Sequence, residues 1–312
     1  QLSIAAGLTA EYFHGDLQRS VPYGSAYASG LLSAAHQAEL GGAPSLALQL
    51  KQQAAQVFGD ASYDGKVHIT GSNWAIGANL AVLWELSTQT RFGLAWRSSI
   101  KHKLTGDADW TQPANLPPSV FAAVTAKPYN GTSRLDHNDS GAWLEVNTPD
   151  SLSFQGFHQI DNRFAVMADA TWYNYSRLQE LVINFDSTTA PSITPERWSN
   201  AWRVALGGTW RLDPTWLLRA GWSYDRSPVS GDLRNPALPD SDRTLYALGA
   251  NWALNPQANL DLAFGYVKLK DAPMSATDDA AGVTPCNCAY STVRGNYQAS
   301  AITLGVQFNY KF

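Results

Sequence analysis

The clearest pattern in the chain is a strict alternation of apolar and other residues over positions 73–86. An alternation with a period of two predicts a β-strand with one apolar face. Trp74 and Trp84 stand ten residues apart on that face. At ~3.3 Å per residue and a strand tilt of ~40°, they would lie roughly 25 Å apart along a barrel axis, which matches the apolar band of a membrane barrel with an aromatic residue at each interface. The predicted outward face comprises Trp74, Ile76, Ala78, Leu80, Val82, Trp84 and Leu86.

The same alternation recurs and predicts about ten strands in all. Short turns follow Leu86, Ile160, Leu212 and Leu254, and longer connections lie between them. Short and long connections alternate in outer-membrane barrels, where short turns face the periplasm and long loops face outside. The predicted long connections are 20–62, 106–141, 186–196, 227–242 and 270–293.

The connection 20–62 differs from the others in its composition. Positions 26–36 and 46–53 are rich in Ala, Leu and Gln, and Gly-Gly-Ala-Pro separates them at 41–44. Both pieces predict short helices with an apolar side. Two interpretations stay open: the helices pack on the rim of the barrel, or they offer an apolar landing surface to a ligand.

Composition narrows the class of protein. Only 15% of the residues are charged, whereas 12 Trp, 13 Tyr and 11 Phe are present. The net charge of −4 argues against a nucleic-acid partner, which would need a basic surface. Cys286 and Cys288 are too few for a disulfide framework, and no nearby His or Cys completes a metal site. We expect them to be passive, with a strained disulfide within the loop as the alternative. The predicted fold class is all-β, a transmembrane antiparallel β-barrel with short helices in an extracellular loop.

Several motifs resemble the outer-membrane long-chain fatty-acid transporter family, the FadL/TodX group. The most specific is the stretch Tyr-Asp-Arg-Ser-Pro-Val at 224–229, which continues through Arg234 to Leu-Pro-Asp-Ser-Asp-Arg at 238–243. A second is Gly-Ser-Asn-Trp-Ala-Ile-Gly-Ala-Asn at 71–79 together with Arg-Phe-Gly-Leu-Ala-Trp-Arg-Ser at 91–98. The resemblance runs from about residue 2 to the end of the chain.

The resemblance implies a monomeric fourteen-stranded barrel with a lumen plugged by an N-terminal hatch. It implies that ligand lands in an apolar groove between two loops, moves to a tighter site in the lumen and leaves through a lateral gap in the wall. Residues 1–312 then correspond to a single, incomplete barrel domain, the C-terminal two-thirds without the hatch and the first strands. The lateral gap falls in the missing part, so no residue here is assigned to it.

The resemblance also points to ligand-binding residues. Positions 12–19 resemble the family segment whose terminal arginine, here Arg19, meets the polar head of the ligand. A guanidinium forms paired hydrogen bonds to a carboxylate, which suits a fatty acid. The alternative is that Arg19 pairs with a loop acid such as Asp16. The family's second head-group cation corresponds to Thr194, whose lack of charge admits a neutral substrate such as an alkane or aromatic hydrocarbon.

The landing groove is the second implied site. The loop 20–62 would form one wall and the loop 106–141 the other. The alternative is that the apolar residues of the first loop only pack its helices together. The expected groove residues are Leu31, Leu32, Leu46, Leu48 and Leu50, with Phe121 opposite.

We therefore predict passive uptake of hydrophobic compounds, with long-chain fatty acids as the expected substrate and hydrocarbons as the alternative. A general porin and an outer-membrane hydrolase are weaker candidates, because the first does not explain the apolar loop and the second lacks a Gly-x-Ser-x-Gly elbow. We expect no enzyme activity, no cofactor and no metal. The expected partners are hydrophobic small molecules and the lipid and lipopolysaccharide of a Gram-negative outer membrane, around a monomer.

Two expectations concern polar side chains. His102 and His158 share the parity of lipid-facing residues and are expected at an interface or rim. Inward charges of mixed sign are expected to form a paired network in the lumen. These charges are Glu11, Glu85, Arg97, Lys101, Asp169, Arg203, Arg219, Asp225 and Asp261.

Overall fold

The computed structural model describes residues 1–125, 128–129, 133–134, 137–234, 239–277 and 292–311. The α-helices in these ranges are α1 (Tyr23–Leu40), α2 (Pro44–Val57) and α3 (Pro118–Thr125). Within the described ranges, no helix combines the length and the apolar character that crossing a membrane requires. The strands are β1 (Leu2–Pro22), β2 (Asp64–Glu85), β3 (Thr90–Arg97), β4 (Lys101–Thr111), β5 (Pro128–Tyr129), β6 (Ser133–Arg134), β7 (Ser140–Asn147), β8 (Ser151–Gln159), β9 (Phe164–Tyr173), β10 (Glu180–Phe185), β11 (Ser192–Pro195), β12 (Ala201–Arg211), β13 (Trp216–Asp225), β14 (Arg243–Ala253), β15 (Ala258–Leu269), β16 (Ala272–Thr277), β17 (Thr292–Tyr297) and β18 (Ser300–Tyr310).

Fourteen of the described strands form one antiparallel sheet. β1 pairs with β2 without a bulge from Leu2 opposite Trp84 to Pro22 opposite Asp64. The other edge of β2 contacts β3 near the C-terminal end of β2 and β4 near its N-terminal end. From β3 the sheet continues through β8, β9, β12, β13, β14 and β15 to β18. Two small hairpins, β5–β6 and β16–β17, stand apart from it.

Four neighbouring long strands are each interrupted and so divided into two shorter strands, and the interruptions lie along one line, which we call the seam. The seam consists of 98–100, 148–150, 174–179 and 196–200, and it separates β3, β8, β9 and β12 from β4, β7, β10 and β11. Side chains replace ladder hydrogen bonds there: the Ile100 amide donates to Thr148 Oγ1 at 3.0 Å, and Asn174 Nδ2 donates to Asp150 Oδ1 at 3.0 Å. Ile100 is buried against Gly77, where an added Cβ would stand 2.6 Å from Ile100 Cγ1. The seam is therefore a packed, hydrogen-bonded interruption.

The outward face of the sheet is apolar, as predicted. Trp74 is 69% exposed and Trp84 50% exposed, and Ile76, Leu80 and Val82 between them are exposed as well. Aromatic side chains on neighbouring strands contact each other at the end of the sheet where the short turns lie: Trp216 and Trp252 stack with ring centroids 5.3 Å apart. A second row borders the seam and consists of Leu80, Trp96, Leu152, Trp172 and Trp202, each opposite the next.

Several predicted boundaries are wrong, because strands extend beyond the seam. β2 begins at Asp64 instead of 73, β1 reaches Pro22, and β4 continues to Thr111, so the loops 20–62 and 106–141 are shorter than predicted. β11 lies inside the predicted connection 186–196, and strands β16 and β17 occupy both ends of 270–293. The two helices predicted in the first loop are confirmed as α1 and α2. Cys286 and Cys288 lie outside the described residues.

Candidate ligand-binding site

The helices α1 and α2 pack on each other through alanines. Ala28 and Ala35 of α1 and Ala47 and Ala54 of α2 are almost fully buried, each pair one heptad apart. Small side chains let two helices approach closely, so the leucines are not needed at the centre of this interface. Leu46 is 49% exposed and Leu48 58% exposed, whereas the other predicted groove residues of these helices are half-buried. These half-buried residues are Leu31, Leu32 and Leu50.

An aromatic cluster lies where β1 passes into α1. Tyr23 is 1% exposed, and its ring centroid is 5.9 Å from that of Phe121 of α3 and 5.3 Å from that of His137. His137 stacks on Trp110 at 4.3 Å, and Trp110 contacts Phe185 at 5.7 Å. The cluster therefore joins the two loops that were predicted to form the groove and links them to the wall below. It consists of Tyr23, Trp110, Phe121, His137 and Phe185.

Tyr23 holds this aromatic cluster by a hydrogen bond as well as by packing. Its hydroxyl lies 2.9 Å from Nδ1 of His137, a contact between residues 114 positions apart in the chain. Burial raises the pKa of the Tyr23 hydroxyl to about 12, because the tyrosinate would lose its hydration. The Tyr23 hydroxyl is thus neutral at physiological pH.

The inner face of the wall below the aromatic cluster is apolar. Val67, Ala108 and Ala142 are buried on adjacent strands and form the core of this patch. Trp110 and Phe185 belong both to the patch and to the aromatic cluster, so the two surfaces are continuous. Partly buried side chains complete the patch: Val21, Ile69, Trp110, Ile183 and Phe185.

Arg19 lies at the outer end of β1 and borders this apolar patch. The pairing of β1 with β2 has no bulge, so Arg19 keeps the inward parity of Glu11 as the sequence predicted. Its Cα partner is Val67, the buried centre of the patch, and Arg19 itself is exposed. Asp16, the suggested alternative partner, contacts His68 Nε2 at 2.9 Å.

The predicted network of inward charges is confirmed on the described strands beyond β8. Arg203 contacts Asp169 at 3.3 Å, Arg219 contacts Asp261 at 3.1 Å, and Arg243 contacts Asp225 at 3.1 Å. Lys101 was predicted to face inward but is 61% exposed and pairs with Glu145 at 2.7 Å, on the face opposite its neighbour His102. Thr194, the position matched to the second head-group cation, is half-buried on β11.

His102 is a functional candidate whose environment the sequence prediction missed. Instead of lying at an interface or rim, it is 0% exposed, with Nε2 3.3 Å from Oε1 of Glu11 and its ring 5.4 Å from that of Phe13. The interruption at 98–100 reverses the parity of the strand, which turns His102 inward and Lys101 outward. Apolar residues continue at even positions across the interruption, so the alternation gave no signal of the reversal. His158 is exposed, as predicted.

A sheet with an apolar, aromatic-rimmed outer face and ion pairs on its inner face is the wall of an outer-membrane β-barrel. The chain belongs to the family described as outer membrane protein transport protein (OMPP1/FadL/TodX), whose model matches residues 1–312. The protein is therefore an outer-membrane protein of a Gram-negative bacterium, with the β-barrel fold that the strand pattern predicted.

Individual relatives agree with this assignment. The long-chain fatty acid transport protein of Escherichia coli O6:H1 is 30% identical over 245 residues, which cover 78% of this chain and 51% of that protein. A Pseudomonas aeruginosa FadL homologue of known structure superposes with a TM-score of 0.77 at 20% identity, over 99% of this chain and 64% of that one. The P. putida toluene transporter TodX gives a TM-score of 0.55 at 17% identity, over 100% of this chain and 66% of that one. This chain spans about half the length of the curated relatives it matches.

Proposed function

We propose that this chain is part of a passive outer-membrane transporter that takes up hydrophobic compounds, with long-chain fatty acids as the substrate. The observation that carries the proposal is the continuity of apolar surface from the loop to the lumen. Trp110 and Phe185 belong both to the aromatic cluster beneath the helices and to the apolar patch of the inner wall. A general porin that passes small polar solutes does not require such a surface.

Capture would occur at the helical loop. Exposed Leu46 and Leu48, with Leu31, Leu32 and Leu50, would receive the hydrocarbon chain, and Phe121 would contact it from the second loop. Burial of a chain stabilises the complex by about 0.8 kcal/mol per CH₂, which would concentrate a poorly soluble molecule at the surface. The ligand would then pass to the apolar patch, where Arg19 would hydrogen-bond its carboxylate.

The rest of the assignment follows from this role. Residues 1–312 would form one barrel domain within a longer protein, with 20–62 and 106–141 on the extracellular side among the lipopolysaccharide. The barrel would act as a monomer, without catalysis, nucleotide hydrolysis, a metal or a redox cofactor. Movement would depend on a change of affinity between successive sites, because a single tight site would hold the ligand in place.

Hydrocarbon uptake is the second candidate function, and a specific observation favours it. Thr194 supplies no cation at the position matched to the second head-group contact, and the mouth of the lumen is built from aromatic rings. Such a surface would bind a neutral hydrocarbon without needing a charged head group. The solved toluene transporter TodX shares the fold.

Uptake by cells that express the complete protein would test these functions. Labelled oleate, labelled hexadecane and a small labelled sugar would be compared with cells that carry the empty vector. Entry of oleate supports the fatty-acid proposal, and entry of hexadecane without oleate moves the substrate to hydrocarbons. Entry of the sugar with neither lipid would overturn the transporter proposal and favour a porin.

A further inference from the structure

A second polar site lies on the inner wall directly below the seam. A cavity of about 550 Å³ is lined there by residues of β1, β2, β3, β8 and β9 and of the seam. Arg97, Ser151 and Tyr173 line it in one register row, each opposite the next. Ile100, which packs on Gly77, contributes an apolar wall.

Arg97 differs from the paired arginines of the inner wall. Arg203, Arg219 and Arg243 each contact a carboxylate within 3.3 Å. In the part of the chain that the structure describes, the Arg97 guanidinium has neither an ion pair nor a side-chain hydrogen bond, although it is exposed to the cavity. An arginine carries five fixed donors, and an anion with planar geometry satisfies them best.

The groups around Arg97 leave room for an anionic ligand. Glu11 lines the same cavity; its Oε1 lies 3.3 Å from His102 Nε2, and it forms no ion pair with Arg97. Ser153 is engaged with Thr171 at 2.9 Å, and Asn79 donates to Thr9 at 3.2 Å. Ser151 lies opposite Arg97, and Tyr173 lies opposite Ser151 on the next strand, so both hydroxyls are on the same side of Arg97 and can add hydrogen bonds to a bound carboxylate.

We infer that this cavity is a carboxylate-binding site for the transported lipid, with Arg97 as the head-group cation and Tyr173 two strands away in the same register row. The inference rests on the proposed function and adds a second head-group site to the transport path. Arg97 lies opposite Asn79 of β2, which in turn lies opposite Gly7 of β1. Gly7 is twelve residues from Arg19, so the two arginines are separated by roughly 40 Å along the strand direction. A carboxylate released from Arg19 would thus find a further cation deeper in the lumen, after its chain has crossed the apolar patch.

Binding measurements on the complete protein in detergent would test this site. Isothermal titration would compare oleate with oleyl alcohol, which has the same chain and no charge. Arg97→Gln should lower the affinity of one oleate site by about tenfold or more, because it removes a charge-assisted contact, and should change oleyl alcohol binding by less than about twofold. Arg97→Lys should retain part of the affinity, and Tyr173→Phe should cause a smaller loss than Arg97→Gln.

Arg211→Gln is the matched control, because it removes the same charge from an exposed inner-wall position near the far end of β12. Thermal melting of each variant would verify folding, and Arg97→Lys would carry the test if Arg97→Gln did not fold. Equal losses for oleate and oleyl alcohol, or no loss for either, would overturn the Arg97 site while the proposed function stands. Failure of the unaltered protein to bind either ligand would instead contradict the proposed function. An Arg97 that serves only to pair with another part of the longer protein would lower the melting temperature without changing the preference for oleate.

Discussion

Arg19 combines a cation with an apolar neighbourhood at the entrance to the lumen. It faces the same side as Glu11 and is paired with the buried Val67. We predict that Arg19→Ala weakens oleate binding about tenfold, because a charge-assisted hydrogen bond to the carboxylate is lost. Hexadecane, which has no head group, should bind with nearly unchanged affinity. Titration of both ligands would check this, and equal losses for the two would remove Arg19 from the head-group role.

Tyr23 gives the aromatic cluster a pH dependence with a definite sign. The pKa of its hydroxyl rises from the ordinary 10.0 to about 12 on burial, so the folded loop favours the neutral form. Its contribution to stability is fully present below pH 10 and is lost as the pH rises through 12. We predict that the ultraviolet absorbance difference between the protein and Tyr23→Phe shows one tyrosine that ionises about two pH units late. Ionisation of this residue near pH 10 would contradict the burial argument.

At the scale of strands and helices, the sequence predicted the membrane-facing parts better than the parts outside. Below the seam, lipid requires an apolar outer face, so alternation gives the strand and its orientation. Above it, the outer face meets water: Lys66 and His68 face out on β2, while Val67 and Ile69 pack inside. An apolar position therefore indicates the outer face below the seam and the inner face above it. His102 shares the parity of apolar residues above the seam, so it was wrongly placed on the outer face. The contact of Tyr23 with His137 was not predictable, because it joins residues 114 positions apart.

The helical hairpin α1–α2 offers a test of the predicted groove. Leu48 is 58% exposed, and Leu40, at the end of α1 and outside the predicted groove, is 72% exposed. We predict that Leu48→Gln reduces oleate capture by roughly fivefold, which corresponds to about 1 kcal/mol of lost chain burial. Leu40→Gln should have little effect. Both variants should fold with unchanged stability, since neither leucine is buried.

Initial uptake rates at low oleate concentration would measure capture. Circular dichroism would confirm that the helices are intact in both variants. If Leu40→Gln and Leu48→Gln reduced uptake equally, the exposed leucines would act as a general apolar surface, and the assignment of a groove would be wrong. If neither variant changed uptake, capture would have to occur elsewhere on the molecule.

At the scale of the whole molecule, the wall separates two environments across one layer of backbone. Its outer face exposes Leu248, Leu304 and Ile302 to lipid, while the inner face carries ion pairs such as Arg219 with Asp261. This arrangement is the reverse of a soluble protein, in which exposed leucines are scattered and charges face outward. Its energetic consequence is that the cost of adding a charge should depend on the face that receives it, even for neighbouring residues of one strand.

Leu248 and Ala247, adjacent residues at the middle of β14, provide the sharpest test of that dependence. Leu248 is 60% exposed on the outer face, whereas Ala247 lies on the inner face, opposite Gly221 on one side and Gly265 on the other. Leu248→Arg should make folding into lipid vesicles less favourable by about 2–4 kcal/mol, because the charge would enter the hydrocarbon near its midplane. Ala247→Arg should cost much less, since its guanidinium would reach the polar lumen. Urea titrations of refolding into vesicles would measure both values for the complete protein, and equal costs would show that β14 does not divide lipid from lumen.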